Sequence, residues 1–376
     1  MKLTSSFCAI LLSTAIQSIA QIGTLEFFET TVDGFDREYY LFVPPSYDGS
    51  SAVPLVLNLH GSGSSAPEQV AYSKMNLVAD TAGFLVAIPE AVDSFWSSGF
   101  SFVPPTAPDD VNFLLTMIDE ISANYAVDAD RVYSTGMSNG GFMSYRLACE
   151  ATDRFAAIAS VTGSMADNTF SSCAPSMVMP VLEIHGTNDL TVPYEGSATS
   201  TAISDVLGFW VNHNGGCPSE PVVTDIEDIQ AEGCTVKKYQ WNPCKDWSEV
   251  LHFEVLNGGH SWPGSFPIPG LGCTNQDIKA HVEIWNFFKR HRRSDMATGL
   301  NNVSAPEEAI FPNPAQNGWL FAEAANSLVQ IYNSTGILIQ EIRTDDHGWI
   351  DASALENGIY QLVSEQGVLQ SGVLMR

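Results

Sequence analysis

The chain has 376 residues, and 45% of them are hydrophobic, which is enough for a sizeable core and for more than one domain. It carries 16 basic and 43 acidic side chains, so its formal net charge is −27. A surface this acidic repels nucleic acid and anionic membranes, and neither is expected as a partner.

The first 20 residues have the features of a signal peptide. Lys2 gives a basic start, residues 7–19 are largely apolar, and Ser18-Ile19-Ala20 matches a small-residue cleavage site before Gln21. The apolar stretch is too short and too interrupted for a membrane anchor, and no other long apolar run follows. We therefore expect a secreted, soluble mature protein.

Strand and helix patterns alternate from residue 24 to residue 290. Residues 24–43 alternate apolar and polar side chains around Asp33-Gly34, which predicts a β-hairpin. The alternation that follows is typical of an α/β fold with a doubly wound, mostly parallel sheet. The predicted strands are 54–59, 84–89, 131–135, 156–161, 181–184 and 250–256, and the predicted helices are 67–82, 108–125 (capped by Asp109-Asp110), 140–150, 199–213 and 276–290.

The pattern changes after residue 291. Residues 292–310 are polar and lack periodicity, which predicts a linker. Short alternating strands with turns then predict a small C-terminal β-sandwich over 311–376. The expected organisation is therefore a signal peptide (1–20), an α/β domain (21–291), a linker (292–310) and the sandwich.

Removal of the signal peptide leaves an even number of cysteines, which suggests three disulfides in an exported protein. Six cysteines allow 15 pairings, and the residues alone do not choose among them. A zinc site is the rival interpretation, but the chain contains no CxxC pair. The six are Cys149, Cys173, Cys217, Cys234, Cys244 and Cys273.

A GxSxG motif, Gly136-Met137-Ser138-Asn139-Gly140, lies between a predicted strand and a predicted helix. A nucleophilic serine on such a sharp turn needs glycines beside it, because the backbone is strained and closely approached. This context predicts that Ser138 is a catalytic nucleophile. The alternative is a structural serine in a glycine-rich turn.

A serine nucleophile needs a general base, and the base needs an orienting acid. In the α/β-hydrolase order of serine, acid and histidine, Asp189 follows the strand 181–184, and His260 lies in a glycine-rich loop after the strand 250–256. We expect Asp189 and His260 to complete the triad. Asp205, Asp246 and Asp277 are weaker candidates for the acid.

An oxyanion hole requires two backbone N–H donors. One is expected from Asn139 and the other from the loop after Leu59, with Ser62 as first choice and Gly61 as second. That loop lacks both a GK[ST] sequence and the third glycine of GxGxxG, which argues against a nucleotide site. We expect neither a cofactor nor a metal. Trp262 and Trp96 are the expected substrate-binding aromatics.

Residues 24–291 resemble the secreted esterases grouped as polyhydroxybutyrate depolymerases and feruloyl or acetylxylan esterases. The resemblance implies the same triad, a Cys149–Cys173 bridge and a Cys217–Cys244 bridge, which leaves Cys234 and Cys273 free to pair with each other. The segment Ser94-Phe95-Trp96-Ser97 has no cysteine and is more similar to the feruloyl branch. The matching stretches are 59–61, 109–111, 128–141, 185–194 and 258–264.

The tail from about residue 303 resembles the C-terminal sorting domains of type IX secretion, through Phe311-Pro312-Asn313-Pro314, residues 329–333 and Gly358-Ile359-Tyr360. The resemblance implies that export machinery is its partner; a polymer-binding module is the alternative.

Together these features predict a secreted serine carboxylesterase acting on feruloyl or acetyl esters of plant polysaccharide. The alternatives are a polyhydroxybutyrate depolymerase, a serine peptidase of the same fold, and a non-catalytic binding protein.

Overall fold

The computed structural model describes residues 23–296, 318–320, 328–333, 338–345, 349–355, 357–364 and 369–374. The internal contacts of the chain divide it into two units, Met1–Gly299 and Leu300–Arg376. The predicted signal peptide lies outside the described residues, as does the predicted linker beyond Met296. The domain boundaries deduced from the sequence stay predictions.

The first unit is built on one ten-stranded sheet with the order β1-β2-β4-β3-β5-β6-β7-β10-β9-β8. Strands β3 to β7 and β10 are parallel, and antiparallel pairs complete both edges. The predicted mostly parallel sheet is confirmed. The strands are β1 (Thr24–Val32), β2 (Phe35–Val43), β3 (Val53–Leu59), β4 (Leu85–Pro89), β5 (Val127–Met137), β6 (Ala157–Val161), β7 (Val181–Gly186), β8 (Val222–Asp225), β9 (Thr235–Trp241) and β10 (Val250–Leu256).

Helices cover both faces of this sheet, and its central strands are therefore buried on both sides. Asp109 caps the helix that follows it by accepting a hydrogen bond from the Asn112 N–H at 3.2 Å. The helices are α1 (Ala66–Ser73), α2 (Met75–Ala82), α3 (Asp110–Asn124), α4 (Asn139–Glu150), α5 (Asp167–Ser172), α6 (Ile203–Asn214), α7 (Ala280–Phe288) and α8 (Arg293–Met296). Among the helices of residues 23–296, none has both the length and the apolar character needed to span a lipid bilayer.

Several details differ from the sequence prediction. The predicted helix 67–82 is two helices, because Lys74 adopts a left-handed conformation (φ 58°) between α1 and α2. The strands β8 and β9 at one end of the sheet and the short helices α5 and α8 were not predicted, and α8 occupies residues 293–296 of the predicted linker. All four residues of β8 are exposed, so the strand has no alternating buried face to mark it.

The second unit contains a two-stranded sheet, β11 (Gly318–Leu320) with β14 (Trp349–Asp351), and a four-stranded sheet of order β13-β12-β15-β16. Buried side chains from both sheets, including Trp319 and Ile331, form one apolar cluster. The four-stranded sheet consists of β12 (Leu328–Asn333), β13 (Leu338–Arg343), β15 (Gly358–Ser364) and β16 (Leu369–Leu374).

Candidate active site

The three side chains of the predicted triad follow strands of the same parallel set. Ser138 comes directly after β5, Asp189 follows β7, and His260 follows β10. The carboxyl ends of parallel strands share one edge of a sheet, which is where open α/β folds bind their ligands. The fold therefore brings to one edge three residues that span 122 positions of the chain.

Ser138 sits on a strained turn between β5 and α4. Its backbone has φ 53° and ψ −122°, a conformation that non-glycine residues rarely adopt. A side chain at Gly140 would clash with the Leu59 carbonyl oxygen, and one at Gly136 would clash with Gly140. The glycines of the motif therefore allow β5, α4 and the end of β3 to approach closely enough to form the turn.

A short hydrogen bond links the predicted acid to the predicted base. His260 Nδ1 lies 2.7 Å from Asp189 Oδ2, and both side chains are largely buried. Asp189 Oδ1 accepts hydrogen bonds from the N–H groups of Thr191 at 2.8 Å and Val192 at 2.9 Å. The carboxylate is thus held at both oxygens, which fixes the imidazole with Nδ1 toward the acid and Nε2 free to face a substrate.

Ser138 and His260 line the same cavity, which has a volume of about 630 Å³. Gly61 and Ser62 also line it, and a Cβ built on Gly61 would lie 3.4 Å from the Ser138 Cβ. The loop after β3 therefore packs directly beside the serine. This is the position that the second donor of an oxyanion hole requires.

The side chain of Asn139, the first residue of α4, is tied to the loop that carries Trp96. Its Oδ1 accepts from the Trp96 N–H at 2.6 Å, and its Nδ2 donates to Ser98 Oγ at 2.9 Å. The first N–H groups of a helix lack partners within the helix. The Asn139 N–H is such a group, next to Ser138.

The expectation that Trp96 and Trp262 contact substrate is wrong, because both side chains are completely buried. Trp96 Nε1 donates to the His60 carbonyl oxygen at 2.9 Å, and the Trp96 backbone N–H donates to Asn139 Oδ1, so this residue joins the loop after β3 to the Asn139 side chain. Trp262 packs in the apolar core, and its backbone N–H donates to Tyr72 Oη at 3.3 Å. Neither ring has a face open to a ligand.

The cavity walls are instead formed by apolar residues to which the sequence alone assigns no binding role. Tyr72 of α1, Met137, Phe266, Ile268 and Leu271 supply apolar surface. Phe266 packs edge-on against Tyr72, with ring centroids 5.1 Å apart, and is 51% exposed. The sequence does carry a signal for this wall: a run rich in proline, glycine and apolar residues directly follows His260.

Asp110 has a second role besides lying in the first turn of α3. It is buried, and its Oδ1 pairs with Arg37 Nη2 at 2.7 Å. Its Oδ2 accepts from the Ser97 N–H at 2.7 Å. The ion pair therefore anchors the loop whose Trp96 holds Asn139, and it stabilises the predicted oxyanion region indirectly.

A buried polar network lies behind Asp189. His185 Nδ1 is 3.1 Å from Glu183 Oε1, and its Nε2 is 2.9 Å from the Val192 carbonyl oxygen and 3.6 Å from Asp189 Oδ2. Burial alone would lower the pKa of His185, but the two carboxylates outweigh it and raise that pKa. Tyr145 donates to the other Glu183 oxygen at 2.8 Å. The triad acid thus rests on a packed set of hydrogen-bonded groups.

The described residues contain three disulfides, Cys149–Cys173, Cys217–Cys244 and Cys234–Cys273. The first two are the pairs that the resemblance implies, and the third joins the two remaining cysteines. The Cys149–Cys173 bridge fastens the end of α4, the helix that begins after Ser138, to the residue that follows α5.

Two groups of possible metal ligands occur among the described residues. One contains Cys234 and Cys273, whose sulfurs are joined to each other. The other is Asp228, Glu232 and Asp277. Asp277 accepts from the Ile229 N–H and Glu232 accepts from the Gln276 N–H, both between two loops, whereas Asp228 accepts from the Ala231 N–H of its own loop. The carboxylates of Asp277 and Glu232 thus fasten one loop to another.

Comparison with known proteins shows that the chain is similar to a group of esterases. Residues 37–189 match the family model described as Esterase PHB depolymerase. One relative is NocK of Nocardia uniformis subsp. tsuyamanensis, to which its name gives a provisional esterase activity. It is 32% identical to this chain over 280 residues, which are 66% of this chain and 78% of that protein. Residues 309–371 match the model described as Secretion system C-terminal sorting domain, which indicates a secreted or cell-surface protein.

Two fungal relatives are longer than this chain. The bifunctional acetylxylan esterase/xylanase XynS20E of Neocallimastix patriciarum is 28% identical over 254 residues, 67% of this chain and 34% of that protein. Feruloyl esterase B of Piromyces equi is 27% identical over 237 residues, 60% of this chain and 42% of that protein. The chain therefore spans less than half the length of these two.

A solved structure also shares the fold. The acetyl xylan esterase of Aspergillus awamori superimposes with a TM-score of 0.51 at 14% identity, over 70% of this chain and 99% of that one. This likeness supports the fold and not the substrate.

Proposed function

The chain belongs to the Esterase PHB depolymerase family, and on that premise we propose that it is a secreted serine carboxylesterase that hydrolyses feruloyl or acetyl esters of plant polysaccharide. Ser138 is the nucleophile, His260 the general base and Asp189 the acid of the triad. The observation that carries the proposal is the 2.7 Å contact between His260 and Asp189, with His260 lining the same cavity as the strained Ser138.

The mechanism follows from the roles of these groups. Ser138 Oγ attacks the ester carbonyl carbon while His260 Nε2 takes its proton, and Asp189 stabilises the imidazolium that forms. The N–H groups of Asn139 and of Ser62 or Gly61 bind the oxyanion. His260 then protonates the leaving alcohol, and an acyl-enzyme remains. Water, activated by the same histidine, releases the acid.

The volume and the walls of the cavity favour an aromatic acyl group over a short one. Its volume of about 630 Å³ greatly exceeds the space that an acetyl group fills, and its walls include Tyr72, Met137 and Phe266. Apolar and aromatic walls with a few polar groups are typical of pockets that bind small organic ligands. Two of the relatives are named for acetylxylan and feruloyl ester hydrolysis.

A second candidate function is hydrolysis of an aliphatic polyester. Leu190 beside the triad acid is 87% exposed, and Phe266 at the cavity wall is 51% exposed. Exposed apolar residues around an active site would favour adsorption to a hydrophobic polymer surface. The net charge of −27 adds no attraction toward a neutral polymer.

A substrate panel tests these functions. The purified protein is assayed on methyl ferulate, acetylated xylan, hydroxybutyrate polymer films and a peptide. We expect turnover of the aryl or acetyl ester with little clearing of films; cleared films with untouched aryl esters would favour the polyester function, and peptide cleavage alone would favour a peptidase.

A labelling experiment tests the nucleophile separately. Ser138→Ala should lower kcat by a factor on the order of 10⁶ and abolish labelling by an organophosphonate. Ser171→Ala, at an exposed serine of α5, is the matched control and should keep both. A wild-type protein that the probe does not label would indicate a non-catalytic binding protein.

We also propose that residues 21–291 carry the catalysis, that 292–310 form a linker, and that 311–376 interact with the export machinery. The match of 309–371 to a sorting domain supports the last assignment. The apolar cluster that the second unit forms from its own two sheets supports a separate domain.

A further inference from the structure

Two cavities meet at His260, and they differ in which catalytic groups line them. The larger, of about 630 Å³, contains Ser138 together with the Gly61-Ser62 loop. The smaller, of about 480 Å³, is lined by His260 but not by Ser138 among the described residues. Thr191, Ile268 and Leu271 line both cavities, so these side chains form the ridge between them.

The chemistry of acyl transfer gives the two cavities different roles. In the tetrahedral intermediate the carbonyl carbon is bonded to Ser138 Oγ, its oxygen lies in the oxyanion hole, and two substituents remain. The alcohol oxygen must face His260 Nε2, because that nitrogen protonates it as the C–O bond breaks. The acyl group must then extend away from His260, along the side that holds Ser138 and the oxyanion loop.

We propose that the larger cavity binds the acyl half of the ester and that the smaller cavity binds the alcohol half, a hydroxylated one such as a pentose. This inference rests on the proposed function. The large cavity has the aromatic walls Tyr72 and Phe266. Asn188 lines only the small cavity and Thr191 lines both, and these residue types can hydrogen-bond to hydroxyl groups.

The loop 264–273 builds both cavities and is held firmly at both ends. The Gly259 N–H donates to the Cys273 carbonyl oxygen at 2.9 Å, and Cys273 is also disulfide-bonded to Cys234. At the other end Lys74 Nζ donates to the Gly264 carbonyl oxygen at 2.9 Å. The loop therefore presents Phe266 to the large cavity, Ile268 and Leu271 to both cavities, and the rest of the segment 267–272 to the small one.

The acyl-binding cavity and the alcohol-binding cavity can each be perturbed alone. Phe266 lines the large cavity and Asn188 the small one, and neither contributes to the other cavity among the described lining residues. The variants are Phe266→Ala and Asn188→Ala. Phe27→Ala, at a β1 residue of similar exposure (49%), and Asn124→Ala, at the exposed end of α3, are the matched controls.

The substrates form a square of two acids, ferulate and acetate, each esterified to methanol or to arabinose. Phe266→Ala should lower kcat/KM for ferulate relative to acetate by about tenfold, equally with either alcohol, because an aromatic wall is lost. Asn188→Ala should lower kcat/KM for the arabinose esters relative to the methyl esters by roughly 3- to 10-fold, with either acid, because one hydrogen bond is lost.

A pre-steady-state measurement adds a second test. The alcohol has already left when the acyl-enzyme hydrolyses, so methyl ferulate and feruloyl arabinose pass through the same acyl-enzyme. Asn188→Ala should therefore leave the deacylation rate unchanged, whereas Phe266→Ala should change it.

The outcomes separate the inference from the function on which it rests. A wild-type protein that turns over none of the four esters overturns both. If the wild type is active, three outcomes overturn the division of cavities alone. The first is a loss of kcat/KM in Asn188→Ala that depends on the acid and not on the alcohol. The second is a loss in Phe266→Ala that depends on the alcohol and not on the acid. The third is an equal loss on all four esters in either variant.

Discussion

The contacts of Asp189 make a specific prediction for Asp189→Asn. Oδ1 accepts two backbone hydrogen bonds, from Thr191 and Val192, while Oδ2 faces His260 Nδ1 at 2.7 Å. The asparagine oxygen should keep the Oδ1 position, because a reversed amide would point its NH₂ group at two donors. The NH₂ group then faces His260 and donates to Nδ1.

The asparagine therefore donates a hydrogen bond to Nδ1 where the aspartate accepted one, and this change alters the tautomer of the imidazole. With Nδ1 accepting, the proton sits on Nε2, and the base can no longer accept the proton of Ser138. Loss of the correct tautomer in a serine triad lowers kcat by about 10⁴, which corresponds to about 5 kcal/mol of transition-state stabilisation. KM should change little, because Asp189 itself does not line either cavity among the described residues.

The assay is steady-state hydrolysis of a soluble ester, with the melting temperature measured to show that the variant is folded. Asp205→Asn, at an exposed position in the first turn of α6, is the control and should keep full activity. A folded Asp189→Asn protein that retains more than about a tenth of the wild-type kcat would refute the assignment.

Four further predictions follow from the contacts described above. Trp96→Phe removes the indole hydrogen bond to the loop after β3 and should lower kcat about tenfold on every ester without changing KM; a change in acyl preference would contradict a positioning role. A chain that ends at Met296 should keep its activity on soluble esters, and a loss above about tenfold would show that the second unit takes part in catalysis. Replacing both Cys149 and Cys173 by serine should lower the free energy of unfolding by roughly 3 kcal/mol, measured by urea denaturation, because the bridge closes a loop with a separation of 24 residues. Burial would raise the pKa of Glu249, but hydrogen bonds and charge from a histidine and an arginine lower it from 4.5 to about 2. The free energy of unfolding that Glu249→Gln removes should therefore be present above pH 4.5 and shrink as the pH falls toward 2. A wild-type advantage in this free energy that grows on acidification would contradict the prediction.

The residues proposed for catalysis could be located from the sequence because each lies in a local pattern. Ser138 has glycines on both sides between a strand and a helix, and Asp189 and His260 each follow an apolar strand. Local patterns of this kind specify the end of a parallel strand, and parallel strands end at one edge. Their approach in space therefore follows from three separate short segments.

The substrate-binding side chains could not be located in the same way. Trp262 lies two residues from His260, yet its ring is buried while Phe266, six residues from His260, is half exposed at the cavity. Closeness in sequence does not determine which way a side chain points in an irregular loop. The break between α1 and α2 at Lys74 could not be predicted either, because neither glycine nor proline marks it in the sequence.

The long-range contacts of Lys74 show why substrate preference and catalysis depend on different parts of this sequence. Its ammonium group holds the Gly264 carbonyl oxygen, a residue 190 positions away, and Tyr72, two residues before it, packs against Phe266. The cavity wall thus depends on α1 and on the loop 264–273, whereas Ser138 and its base depend on the ends of β5 and β10. Substitutions in the wall can therefore change which acid or alcohol fits while the catalytic geometry stays the same. The family match over residues 37–189 includes Ser138, Asp189 and Tyr72 but not the loop 264–273, so it leaves part of the cavity wall, and with it the substrate, undetermined.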